Sequence, residues 1–219
     1  MTYDPPRGGE EPAEARSSPF PGGTGLDVAV AVLAAGRGSR FGGERPKCLA
    51  EWQGRPLVAW ALESAVRSDL FPVLLVTGHG RDSVAAAAPA GVDVVHSPHW
   101  HRGIAHSLRA ALEVLEGYDS VGAVCIGLAD QPRVGQEAYR RLAAAFAEGA
   151  PLVVATYDGT RGNPVLLARS LWPEAHELDG DVGARALMDR HPVVEVPCGD
   201  TGSAVDVDTP DDLRRLDPH

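Results

Sequence analysis

Cysteine is scarce in this chain, and the three present, Cys48, Cys125 and Cys198, are odd in number and far apart. A disulfide framework is therefore not expected. Basic charge is also short: 20 Lys and Arg stand against 30 Asp and Glu, for a formal net charge of −10. General nucleic-acid binding needs a basic footprint, so this balance argues against a nucleic-acid partner. Small phosphorylated ligands stay open, because a local basic loop is enough to bind them. No run approaches the ~18 apolar residues of a membrane span, and no basic-then-apolar leader opens the sequence. A cytoplasmic protein with no membrane partner is the expectation.

Two common phosphate-binding signatures are missing as well. A P-loop ends in Gly-Lys-Ser/Thr, and here Lys47 follows Pro46 and precedes Cys48. A dinucleotide fingerprint places its third glycine three residues after the second, with an acid after the second strand. That glycine position holds Phe41, and the second strand runs into Gly78-His79-Gly80.

What is present is a chain of 219 residues, 44% hydrophobic and 23% charged, ordinary values for a globular protein with one sizeable core. Residues 1–25, rich in Pro, Gly, Glu and Ser, read as a disordered tail. The domain is then 26–219. Strands are expected at Val28–Leu33, Val73–Thr77, Val92–Val95, Val121–Ile126, Leu152–Tyr157, Val193–Val196 and Val205–Asp208. Asn163–Ala168 reads as a further extended piece. Helices are expected at Pro56–Val66, Arg81–Ala88, Ile104–Leu115, Gln136–Ala147, Gly183–Arg190 and Pro210–Leu216. Strands alternating with helices predict an α/β fold with a doubly wound, mostly parallel sheet. Ligands of such sheets bind beyond the carboxyl ends of the strands.

That rule selects the segments that follow strands. After the first comes Ala34-Ala35-Gly36-Arg37-Gly38-Ser39-Arg40-Phe41-Gly42-Gly43, leading to Pro46-Lys47. Glycines let this backbone turn sharply and approach a ligand closely, and successive N–H groups make an anion-binding concavity. Arg40 and Lys47 are placed to neutralise phosphate charge. Gly78 follows the second strand. Asp130 follows the fourth, where a carboxylate is costly without a partner. It reads either as a Mg²⁺ ligand, since magnesium takes one or two carboxylates plus phosphates and waters, or as a turn residue before Gln131-Pro132. Asp206 and Asp208 alternate with valines and fall on one face of an extended run, from which Asp206 can complete a metal site. Asp211 and Asp212 read as first-turn acids of a helix capped by Thr209. His96, His99, His101 and His106 lie close in sequence without a nearby cysteine and read as surface residues rather than a zinc site. Ser107 reads as a nucleotide contact or a first-turn residue. The Gly180–Arg185 segment, with Asp181 and Gly183, offers backbone donors and an arginine to an anionic second substrate, or else a helix capped by Asp181.

Four segments in this order resemble the molybdenum-cofactor nucleotidyltransferases, the MobA-like NTP transferase family. They are Leu33–Gly42 with Pro46-Lys47, Gly127–Pro132, Gly162–Val165 with Gly180–Arg185, and Asp206–Leu213. The Ala34-Ala35-Gly36 run is similar to the cytidylyltransferase branch, where guanylyltransferases tend to carry Ala-Gly-Gly. The family often has Gly-His-Pro where this chain has Gly162-Asn163-Pro164. The resemblance implies a Rossmann-like, nucleotide-diphospho-sugar-transferase fold in one domain. It implies Mg²⁺ at Asp130, a nucleoside triphosphate (CTP) held by Leu33–Ser39, Arg40 and Lys47, and a phosphorylated pterin acceptor near Asn163 and Asp181. A product of that kind is handed to a molybdoenzyme, which would be a transient partner. Two other readings remain: an NAD(P)H-dependent oxidoreductase of the same family, and a non-catalytic nucleotide-binding protein that delivers cofactor.

Overall fold

The computed structural model describes residues 26–38, 41, 42 and 45–216. The expected tail, and Ser39 and Arg40 of the glycine loop, lie outside the described residues.

The sheet is built around β1 (Asp27–Ala34). Its residues are apolar on both faces: Ala29, Ala31 and Leu33 join one core, and Val28, Val30, Val32 and Ala34 join the other. A strand buried on both sides has to sit inside the sheet, with helices covering each face. The chain then forms a small hairpin, β2 (Glu51–Trp52) and β3 (Arg55–Pro56), and enters α1 (Leu57–Arg67). β4 (Val73–Thr77), α2 (Arg81–Ala85), β5 (Val92–His96), α3 (Ile104–Leu115), β6 (Val121–Leu128) and α4 (Gln136–Ala147) follow. β7 (Leu152–Tyr157), β8 (Thr160–Ala168), α5 (Trp172–His176), β9 (Val194–Pro197) and α6 (Pro210–Arg215) complete the chain.

Seven strands pair in the order β5-β4-β1-β6-β8-β7-β9. Pairing is parallel from β5 through β6 and between β7 and β9, while β8 runs antiparallel to both of its neighbours. Only β8 is reversed, so the mostly parallel, doubly wound architecture is as expected. One face packs on α1 and α4 through Val58, Leu62, Tyr139 and Leu142. The other packs on α3 and α5 through Leu108, Leu112, Leu115 and Trp172. The helical spacing of the α3 leucines places all three on the buried stripe.

Two expected elements take other forms. Residues 183–190 form a six-residue 3-10 helix, Ala184–Asp189, rather than an α-helix. Its two buried residues, Ala184 and Leu187, are three apart, which is the 3-10 repeat. Gly183 precedes it with no side-chain cap, so Asp181 does not cap this helix. Residues 205–208 do not form a strand. They run past the tip of β6, where the Val207 amide donates to the Asp130 carbonyl (3.0 Å). Val207 is buried with Leu57 and Leu216 instead of pairing into the sheet. The C-terminal helix starts as its sequence demands: Thr209 accepts from the Asp212 amide, and the Asp212 carboxylate accepts from the Thr209 amide.

Candidate active site

The carboxyl ends of β1 and β6 lie side by side, with the Ala129 amide donating to the Leu33 carbonyl (3.1 Å). That pairing puts the glycine loop and Asp130 at one place on the sheet edge. The loop folds back through Gly38, which has a φ of +65°. A Cβ at Gly38 would overlap the Lys47 stem, so glycine lets the lysine pass close beneath the loop. Lys47 itself begins a 3-10 turn anchored by buried Cys48 and Leu49.

Lys47 Nζ donates to Asp130 Oδ2 at 2.6 Å and to Asp208 Oδ1 at 2.7 Å. These partners are 83 and 161 positions away in sequence. Burial by itself would lower the Lys47 pKa, but Asp130 and Asp208 overcome it and hold the ammonium above the ordinary lysine range. Asp206 completes the acidic group. Its Oδ1 accepts from Gln131 Nε2 (2.8 Å), while Gln131 Oε1 accepts from Asn163 Nδ2 (3.2 Å). Burial first, and the neighbouring Asp130 second, push the Asp206 carboxyl up.

Asp130 Oδ1 is buried and has no hydrogen-bond partner among the described residues. A buried carboxylate oxygen left this way is costly, so it marks a place for a ligand. Among the described residues no group of three or more His, Cys, Asp or Glu could hold a metal ion as a ready-made cage. A hard cation that takes one or two protein carboxylates and fills its other positions with waters or a ligand's oxygens fits the donor set better.

Two cavities meet at Leu33. A small one, about 120 Å³, lies between Gly36, Gly38, Lys47, Ala129 and Asp130. A larger one, about 200 Å³, is walled by aliphatic side chains including Ile104, Leu108 and Ile126, with Asn163, Asp181, Arg185 and Asp206 supplying polar groups.

The expected site residues divide between these spaces. Leu33, Ala34, Gly36, Gly38, Lys47 and Asp130 line the small cavity; Asn163, Asp181, Gly183 and Asp206 line the large one. Ala35 is buried beneath the loop, its carbonyl accepting from the His79 amide (3.0 Å). Gly78 is wedged against that carbonyl and Trp100, where a Cβ would overlap both. Arg37 is exposed. Ser107 is buried in α3 and lines neither cavity. Gln131, which ties Asp206 to Asn163, stands outside the expected set. Its signal in the sequence is a polar residue beside a candidate ligand, just before a proline at a strand tip.

Cys48 lines the small cavity, yet burial and the nearby Asp130 push its thiol up to about 12. At pH 8 it is a protonated, shielded thiol. Iodoacetamide at that pH is expected to label none of Cys48, Cys125 and Cys198 in the native protein, all three being buried, and to label all of them in denaturant, as read by mass spectrometry.

A glycine loop, a strand-tip carboxylate and a lysine held between acids thus stand together at the ligand edge of a doubly wound sheet. Residues 30–196 match the MobA-like NTP transferase domain, and the chain belongs to that family. It is a nucleotidyltransferase-like protein. The solved structure of Rv0371c from Mycobacterium tuberculosis H37Rv superposes with a TM-score of 0.77 at 33% identity, covering 88% of this chain and 98% of that one. The same Mycobacterium tuberculosis protein has been solved as a complex with manganese. Nicotine blue oxidoreductase of Paenarthrobacter nicotinovorans is 30% identical over 202 residues, covering 86% of this chain and 96% of that protein. The bifunctional enzyme IspD/IspF of Novosphingobium aromaticivorans is 35% identical over 122 residues, 56% of this chain. This chain spans only about a third of the length of such bifunctional relatives, 31% in that case.

Proposed function

We propose that this chain transfers a nucleotidyl group from a nucleoside triphosphate, CTP, to a phosphorylated pterin acceptor of the molybdopterin type, with release of pyrophosphate. The observation that carries the reading is Lys47 held between Asp130 and Asp208 at the mouth of the glycine loop, one residue's width from a second cavity across Leu33. In the reaction, a phosphate oxygen of the acceptor attacks the α-phosphorus in line. The bond to the β-phosphate oxygen breaks, and the electron pair leaves with pyrophosphate. Little protein covalent chemistry is needed; positioning and charge neutralisation do most of the work.

The small cavity receives the triphosphate, with the backbone N–H groups of Gly36 to Gly38 as donors. Lys47, and Arg40 by its place in the sequence, offset charge growing on the leaving group. The aliphatic walls of the larger cavity suit a flat ring system better than a polyol, with Asn163, Asp181 and Gly183 at its polar side. Asp130, with Asp206 beside it, would hold Mg²⁺, which supplies Lewis-acid charge neutralisation when bound. That a relative from Mycobacterium tuberculosis has been solved with manganese supports a divalent ion in this reading. No described helix is long and apolar enough to cross a membrane. The setting proposed is the cytoplasm, where the product can pass to a molybdoenzyme.

The test is a panel of the four nucleoside triphosphates with Mg²⁺ and molybdopterin, read by pyrophosphate release. Release with CTP is expected; no release with any of the four would overturn the proposal. Kinship with nicotine blue oxidoreductase over most of both chains favours one second reading, hydride transfer from a nicotinamide cofactor. Against it, β4 ends at Thr77 and runs into Gly78-His79-Gly80, with no carboxylate there for a ribose. Tight NADPH binding without CTP binding would select it. Binding of CTP with no turnover would select a cofactor-delivery protein.

A further inference from the structure

One wall of the larger cavity comes from no strand. It is the segment that supplies Asp181, Gly183, Ala184 and Arg185, and it enters through Gly180 at a φ of +68°. Asp181 and Val182 are exposed. A glycine-containing run without ladder hydrogen bonds opens easily unless something fastens it.

The fastening comes from α3 and the turn before it. Arg109 Nη2 donates to the carbonyls of His176 (2.6 Å) and Leu178 (2.9 Å). The Ala105 amide donates to the Gly180 carbonyl (3.2 Å). A Cβ at Gly103 would overlap that same carbonyl, so the two backbones meet where only glycine fits. His106 Nε2 lies 2.7 Å from Asp179 Oδ1, and Arg102 Nη2 lies 3.4 Å from the same oxygen. The imidazole is rooted: His106 is not the surface residue the sequence suggests but is 4% exposed, drawn inward by the first turn of α3, and its carbonyl accepts from the buried Ser97 hydroxyl (3.2 Å). Thus a ring fixed in the first turn of α3 reaches the carboxylate two residues ahead of Asp181.

We infer that His106 and Asp179 are positioning residues that clamp the 179–185 segment as the wall of the acceptor cavity, setting acceptor affinity without touching the acceptor. The part of this that concerns the acceptor rests on the proposed function; the clamp itself does not. Neither residue lines either cavity. Asp179 faces His106, Arg102 and the Gly180 amide, and His106 foremost, then that amide, holds its carboxyl below the usual range. The carboxylate is therefore charged at neutral pH, which makes His106 Nε2 the donor. The other ring against His106 is His99, 6.1 Å between centroids.

The test uses Asp179→Asn, which keeps shape at an exposed position, with His106→Ala and His106→Gln. Without ligand, hydrogen–deuterium exchange of amides 180–185 is expected to quicken by about tenfold or more in Asp179→Asn and His106→Ala, the scale of one lost charge-assisted hydrogen bond, while β1 and β6 amides stay as they were. His106→Gln, whose amide can still donate to Asp179, is expected to restore most of the protection. In turnover with CTP, Mg²⁺ and molybdopterin, the KM for molybdopterin rises about tenfold, while kcat and the KM for CTP stay within about twofold. Unchanged exchange in both Asp179→Asn and His106→Ala overturns the clamp. An equal rise in both KM values overturns its link to the acceptor. A wild-type protein that turns over no molybdopterin sinks the functional reading, and the exchange experiment then still decides the clamp.

Discussion

Lys47→Ala is expected to slow pyrophosphate release by about two orders of magnitude or more, the scale of losing one preorganised charge contact in a phosphoryl-type transition state. The side chain is well buried, at 13% exposure, and contacts two carboxylates. The sign of its pKa shift fixes the pH range in which it acts. Because the folded value lies above the ordinary lysine value, the charge and the stability it contributes are fully present below about 10.4, the free-lysine value. They are lost only as pH rises through the higher folded value. Between pH 6 and 9 the activity profile should carry no step from Lys47. The variant leaves Asp130 and Asp208 facing one another without their shared cation, so its melting temperature falls and becomes salt-sensitive. Circular dichroism at two salt concentrations and a turnover assay check both. Near-normal turnover removes Lys47 from the chemistry.

Asp130→Ala is the second large effect, and it separates chemistry from folding more cleanly. The residue anchors the chain by its carbonyl, which accepts from the Val207 amide, and alanine keeps that bond. Lys47 keeps Asp208. What disappears is one carboxylate with Oδ2 on Lys47 and a buried, unpartnered Oδ1. Turnover is expected to fall by about two orders of magnitude or more, with the Mg²⁺ requirement raised about tenfold and cooperative unfolding retained. A Mg²⁺ titration of pyrophosphate release, paired with Mn²⁺ binding followed by electron paramagnetic resonance, reads the metal and the rate separately. An unchanged Mg²⁺ requirement rules out Asp130 as a ligand.

The sheet was easy to read from sequence because its strands are short apolar runs bounded by turn residues. β4, β7, α3 and α4 fall where the periodicity put them. The elements that escaped are those whose form depends on distant partners. The strands β2 and β3 have two residues each, too few to show alternation. α5 is five residues long and begins Trp172-Pro173, so no helical repeat could develop. Val205–Asp208 alternates like a strand, yet Val207 goes to a small side cluster, and no edge is left for it to pair with at β6. The site shows the same division. Each acid and the lysine were visible as candidates. The contacts among them cross 83 and 161 positions, and pairing over such distances is set by tertiary packing alone.

The reversed direction of β8 has a consequence for how such proteins diversify. Because β8 runs against its neighbours, its beginning, at Thr160 to Asn163, reaches the ligand edge together with the end of β7. The β1 and β6 side of that edge is made from parallel crossovers. The far side opens on a hairpin tip, Asp158-Gly159, that can lengthen or change its residues without disturbing any crossover. One half of the ligand edge is thus tied to the crossovers of the sheet, and the other can be refitted without touching them.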